Sequence, residues 1–225
     1  MRRWLRNYLN RHKEIKRIVF RCYSYCKGMR VADSGSGNAV ENHGALMWNV
    51  KISIRGNNNS IIIGEDARLS NVEFLVQGDG HKCILGERCA ISGGSFWFED
   101  VGGVISLGSD TTSGGADFAS IEGAHITVGR DCMFSSGIDV RVGDSHSIID
   151  CQTNTRINPS EDIIIGNHVW VGANATILKG VTVADGSIIG NRALVTKSCM
   201  EGNCVVVGVP AKVVKRNVTW DRDRV

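Results

Sequence analysis

From Ile165 to Val195 an aliphatic residue returns at every sixth position (Ile165, Val171, Ile177, Val183, Ile189, Val195), with glycine following it at 166, 172 and 190. Neither the 3.6-residue period of a helix nor the two-residue alternation of a half-buried strand fits this spacing. A fixed short repeat marks a solenoid, in which each unit buries its apolar residue against the equivalent residue of the coils above and below. With small residues four positions after the aliphatic one (Ala175, Ser187, Ala193), the six-residue unit predicts an all-β fold, a left-handed parallel β-helix.

Upstream the repeat is looser. Gly64, Gly86 and Gly108 each follow an aliphatic residue and are spaced by 22, as are Phe74, Phe96 and Phe118. Equivalent positions stack on successive coils, so the phenylalanines should form an internal ladder that fills one corner of the prism. Each upstream coil reads as three six-residue sides plus a few corner residues, 77–81 and 99–103 among them, where Gly and Asp suit positive φ. The six-residue step runs from Thr127-Val128-Gly129 through Phe134 and Val140 to His146 and then breaks. Polar residues 147–162, with Pro159, interrupt the pattern until Ile163-Ile164-Ile165-Gly166 resumes it, which predicts an extruded loop. Such a loop on a rigid scaffold is either a functional element or a neutral surface insertion.

Composition changes this picture little and charge changes it more. The chain of 225 residues has 27 Gly and only 2 Pro, enough for one elongated domain at 31–216, with a helical start at 1–30 and a tail at 217–225. Its 8 Cys form no CxxC pair, the start lacks the uninterrupted apolar core of a secretory signal, and no stretch is apolar enough to span a bilayer; reduced thiols in a cytoplasm are expected. The net charge of +3 hides an asymmetry, since residues 1–30 hold ten Lys or Arg against Glu14 alone, while the remainder is acidic. Trp4, Tyr8, Ile15, Ile18, Cys22 and Tyr25 or Cys26 fall at helical spacing in that segment. The helix has two readings. It caps the open first coil or packs in an oligomer, or residues 1–26 rest on an anionic membrane surface as a peripheral contact at the inner membrane. Nucleic acid is excluded as a partner, because the rest of the chain is acidic and has no basic-aromatic module.

Candidate chemistry centres on Gly143-Asp144-Ser145-His146, directly before the loop. An imidazole titrates near neutrality and can act as a general base. Asp144 would share a face with His146 if the strand stays extended, and could orient the ring; alternatively it is a turn residue. Trp170 follows 24 residues after His146 in Gly166-Asn167-His168-Val169-Trp170-Val171-Gly172.

The repeat, the His before a loop and the Asn-x-x-Trp-Val-Gly element of the next coil resemble the hexapeptide-repeat acyltransferases, and within them the bacterial sugar and polysaccharide O-acetyltransferases, over about residues 50–216. The resemblance implies that His146 takes the proton of an acceptor hydroxyl as it attacks the thioester of acetyl-CoA. It implies a homotrimer with the donor in the groove between subunits. Carried over residue by residue, Trp170, Ala173, Asn191, Thr196 and Lys197 would line the pantetheine and adenine path. Lys212, Lys215 and Arg216 would sit near the phosphates, and Asp117 near the acceptor. Relatives commonly have Gly or Ala at position 191, so Asn191 would narrow the channel or add a hydrogen bond. Trp170 could instead be cover for a subunit interface, and the basic tail a solvated one. A zinc site like that of γ-class carbonic anhydrases is not expected: His125, His168 and Cys151 lack its histidine spacing. The implied function is O-acetylation of a sugar or bacterial surface polysaccharide. N-acetylation of an amino sugar, acetylation of a small molecule such as an antibiotic, and a non-catalytic trimeric scaffold stand as alternatives.

Overall fold

Three parallel sheets wind around one apolar core, and each turn of the chain visits them in the same order. The computed structural model describes residues 8, 9 and 11–224; Trp4, with the rest of 1–7, lies outside the described residues, as do 10 and 225. The first sheet has eight strands, from Met29–Asp33 to Leu194–Val195, and the second has seven, from Ala39–Asn42 to Thr182–Val183. The third has nine, from Leu46–Trp48 through Cys204–Gly208 to the antiparallel closing strand Ala211–Arg216. This is the expected left-handed parallel β-helix. Its register is the sequence repeat: Ile52, Phe74, Phe96, Phe118, Val140, Ile177 and Val195 are successive partners in the first sheet.

The phenylalanine ladder is present. Phe74 and Phe96 stack with ring centroids 4.9 Å apart, Phe96 and Phe118 at 5.3 Å, and Phe134 meets Phe118 edge-on at 5.6 Å. Coils approach so closely at the repeated glycines that a Cβ on Gly86 would lie 2.5 Å from the Ser109 nitrogen. Only glycine fits there, which is why the 22-residue spacing of glycines is so regular.

The corner between the first and second sheets decides where the site lies. Upstream coils carry their extra residues here, as between Glu73–Gln77 and Lys82–Leu85, with Gly78 and Gly80 at positive φ. Residues 147–162 leave at the same corner, between Ile138–Arg141 and Ile163–Ile165. The loop is therefore one corner bulge grown longer, and the next coil passes the same corner tightly through Lys179-Gly180-Val181.

Both ends of the prism are closed. A helix, α1 (Lys13–Tyr23), and a single π turn, Ser24–Gly28, lie over the first coil, burying Leu9 and Phe20; Ser24 Oγ accepts the Met47 N–H at 3.0 Å. Capping is thus part of the helix's role, but its apolar stripe is not the capping face. Lys16 pairs with Asp66 at 2.7 Å and Arg17 with Glu65, so cations face the coil while Ile15, Ile18, Cys22 and Cys26 face solvent. Acidic corner residues attract the polar side of the helix more strongly than the small apolar coil end attracts its stripe. At the other end the Cys204–Gly208/Ala211–Arg216 hairpin covers the last coil, and residues 217–224 fold back along the third sheet. There Trp220 is buried, stacked on His168 at 4.2 Å, and Arg222 bonds Asp131 at 2.9 Å.

Candidate active site

His146 sits where the corner opens into the loop, and each residue before it has a structural reason. Gly143 has no room for a Cβ because Ser160 Oγ and Ile121 press against it. Ser145 adopts φ 62° and the His146 N–H bonds the Asp144 carbonyl at 2.8 Å, a γ-turn of the rare positive-φ kind. Such backbone costs energy and persists only where its surroundings hold it. The turn rotates the chain between residues 144 and 146, so the expectation of an extended strand with both side chains on one face does not hold. The imidazole is left exposed, with no hydrogen-bond partner among the described residues.

Asp144 is engaged elsewhere. Its Oδ2 accepts from Lys179 Nζ at 2.5 Å and from Asn158 Nδ2 at 2.8 Å, and these two donors hold the carboxyl below its ordinary pKa. Orientation of His146 therefore comes from the backbone. Asn158, buried within the loop, also donates to the His146 carbonyl at 2.8 Å and accepts the Ile148 N–H at 2.7 Å. One side chain thus ties the start of the loop to its end. The coil above adds a clamp, since Arg156 pairs with Glu122 at 2.6 Å and the Ser160 N–H bonds the same carboxylate at 3.1 Å; Arg156 above all holds Glu122 below its usual pKa, burial opposes it, and Ser160 adds to the lowering. At the tip, Asp150 accepts the N–H groups of Gln152 and Thr153, and Ile149 bridges Arg156 antiparallel. Polar composition announces a loop but not this set of tethers, so Asn158, Lys179, Arg156 and Glu122 were not legible as site residues. Their only signal is that Glu122, the loop and Lys179 fall on one corner once the coils are stacked.

The remaining expected site residues fall on several sides of the prism. Thr196 and Lys197 lie on the His146 corner, one coil beyond Lys179. Asp117 is on the outer face of the first sheet, accepting from Ser95 Oγ at 2.6 Å, with Asp139 stacked on it in the next coil. Asp139 bonds Arg141 at 2.8 Å through Oδ2, while its Oδ1 is buried and has no partner among the described residues. Ala173 and Asn191 are on the corner between third and first sheets, where Asn191 Oδ1 accepts the Ala173 N–H at 3.0 Å. That bond uses Asn191 to join two coils. Trp170 lies half-exposed on the third sheet, its ring 6.3 Å from Trp220. Lys212, Lys215 and Arg216 are exposed on the terminal strand, with Arg216 paired to Glu201 at 2.8 Å. A corner between two sheets is opposite the third, so His146 and Trp170 do not meet within one protomer.

Residues 162–197 match the family described as Bacterial transferase hexapeptide (six repeats). A polysialic acid O-acetyltransferase of Neisseria meningitidis is 34% identical over 200 residues, covering 85% of this chain and 89% of that protein. A second, from Escherichia coli O1:K1 / APEC, is 36% identical over 121 residues, 54% of this chain, and this chain spans only 39% of its length. The crystal structure of the polysialic acid O-acetyltransferase OatWY superposes with a TM-score of 0.84 at 31% identity, over 87% of this chain and 93% of that one. The chain belongs to the hexapeptide-repeat O-acetyltransferases.

In this O-acetyltransferase His125, His168 and Cys151 each have separate surroundings. His168 bonds Asp131 at 2.8 Å and the Trp220 carbonyl at 3.1 Å, and His125 accepts the Val104 N–H at 3.2 Å, while Cys151 lies on the loop. No group of three metal-binding side chains occurs among the described residues. Burial pushes the Cys89 and Cys132 thiols up to about 11, consistent with packing residues. No helix among the described residues is long and apolar enough to cross a membrane.

Proposed function

We propose that this O-acetyltransferase transfers the acetyl group of acetyl-CoA to a hydroxyl of a bacterial surface polysaccharide, a sialic acid polymer being the first candidate, with His146 as general base. The observation that carries the reading is an exposed imidazole held by a tethered, strained turn, in a chain 34% identical to a polysialic acid O-acetyltransferase across 89% of that protein. His146 accepts the hydroxyl proton as the oxygen attacks the thioester carbonyl; the tetrahedral oxyanion collapses, expelling CoA thiolate, and the proton passes from His146 to that leaving group. Asp144 acts as the anchor of the turn.

Lys197, Lys212 and Lys215 are exposed and supply the cations that the pyrophosphate and 3′-phosphate of CoA require. Arg216 would first have to exchange its Glu201 partner. Thr196 and Ala173 leave room for the pantetheine arm, Asn191 serves the coil junction, and Trp170 offers a flat apolar wall. Asp117, with Asp139 stacked beside it, gives acceptor-facing carboxylates. Because His146 and Trp170 face opposite sides of one prism, a site using both takes them from two copies, which a homotrimer provides.

Thiol release from acetyl-CoA, followed with polysialic acid and with neutral glycans, tests the chemistry. Acceptor-dependent release that falls about 100- to 10,000-fold in His146→Ala supports it; release indifferent to His146 or to acceptor refutes it. Mixing His146→Ala with Trp170→Ala subunits tests the shared site. Mixed oligomers should regain activity that neither parent shows, and their failure to do so would place each site within one copy.

A further inference from the structure

Helix α1 presents its apolar stripe outward. Tyr8 is 46% exposed, Ile15 41%, Ile18 62% and Val19 44%, and Cys22 and Cys26 continue the line. At 100° per residue Ile15, Ile18, Val19 and Cys22 share about 100° of the surface of α1, with Tyr8 before the helix and Cys26 in the π turn after it, and the coil-facing side holds Lys16, Arg17 and Phe20 instead. A surface helix ordinarily buries its apolar side, so this one is inverted with respect to its own domain.

The charges around the strip favour one occupant. Lys16 and Arg17 are neutralised by Asp66 and Glu65, and Glu14 pairs with Arg17, so the helix's inward cations and its one acid are already matched. Arg11, Lys13, Arg21 and Lys27 are exposed and make no ion pair among the described residues. The same end of the prism shows Trp48, 59% exposed, next to a cleft of about 260 Å³ lined by Lys27 and Arg30. Apolar side chains bordered by free cations and interfacial aromatics match a surface with hydrocarbon beneath and anions above. A second copy of this chain fits less well, because its own copy of this face carries the same unpaired positive charge.

We propose that the exposed face of α1 docks this protein on an anionic lipid surface, with Ile15, Ile18 and Val19 inserted among the acyl chains and Arg11, Arg21 and Lys27 at the headgroups. Each cation near such a surface strengthens the attraction, and salt weakens it. The prism would then stand with its first coil at the membrane and its His146 corner several coils away, free for a glycan assembled there.

Flotation of the full chain with phosphatidylcholine vesicles, with and without phosphatidylglycerol, tests the docking beside the double variant Ile18→Glu/Val19→Glu. The wild type should float with anionic vesicles and be released by salt. The variant should bind at least about tenfold more weakly while keeping its molar mass by light scattering, its circular dichroism and its turnover of soluble acceptor. Absence of wild-type flotation on anionic vesicles overturns the proposal. A variant that keeps its fold but falls to a smaller oligomer overturns it too, because the strip would then be an interface between copies.

Discussion

Replacing Asn158 with alanine should cripple catalysis without unfolding the protein. The side chain is 5% exposed and makes four hydrogen bonds: it accepts from Ile148 N–H at 2.7 Å and Arg156 Nε at 3.2 Å, and donates to Asp144 Oδ2 and the His146 carbonyl, both at 2.8 Å. Each of these bonds is worth about 0.5–1.5 kcal/mol net, and water reaching the loop replaces part of the four. A net local loss of about 2–4 kcal/mol follows, which raises the population of detached loop roughly 30- to 1,000-fold. The γ-turn at Ser145 would relax once its anchors go, since strained backbone survives only where neighbours impose it. A displacement of about 1 Å at a reacting group costs up to about 100-fold, so kcat should fall about 10- to 100-fold with a smaller change in the KM for acetyl-CoA. Because the loop lies outside the stacked core, the thermal midpoint should move by only a few degrees. Steady-state kinetics and amide exchange over 144–158 read the two halves of the argument. A kcat within twofold of wild type with unchanged exchange would refute it, as would a global loss of stability. Asp144→Asn, which keeps the shape but weakens the Lys179 bond, should show the same defect in milder form.

Phe96→Ala opens a hole between two stacked rings and should cost about 3–5 kcal/mol in denaturant unfolding, the usual range for a buried aromatic; a loss under about 1 kcal/mol would mean that the ladder collapses to fill the gap. His81 is buried, and burial pulls its imidazole below the usual 6.5, outweighing the carbonyls of Gln77 and Asp100 and the nearby carboxylates of Asp100 and Asp79 that favour the charged form. Its Nδ1 accepts the Gly103 N–H at 3.0 Å, a bond that protonation destroys. Since the folded pKa lies below the unfolded one, this contribution to stability is complete above about pH 6.5 and is lost as pH falls toward the depressed value. The urea midpoint should therefore drop more steeply below about pH 6.5 in wild type than in His81→Asn; parallel pH profiles would contradict this.

The architecture was readable in the chain because a solenoid repeats its contacts. The six-residue return of Ile165 to Val195, the glycines at 64, 86 and 108 and the ladder Phe74, Phe96 and Phe118 are each one position met on successive coils, so spacing along the sequence is also neighbourhood in space. The position of His146, the proposed base, was legible for the same reason, as the residue where the step fails. Its tethers were not. Glu122, Asn158 and Lys179 belong to three stretches of chain with no periodic relation, and they converge only because the loop leaves a corner that the coils above and below also turn. The proposed pairing of Asp144 with His146 assumed an extended strand, and one residue at φ 62° undid it. The facing of α1 was also hidden, because a stripe of Ile15, Ile18 and Cys22 states that one side is apolar and does not state which side the domain will receive. Local periodicity, which depends on the chain's own geometry, was decided by the sequence alone. Which charged and polar side chains meet across coils, with Asp66 and Glu65 drawing Lys16 and Arg17 inward, depends on distances between segments remote in sequence, and only the tertiary structure fixes those.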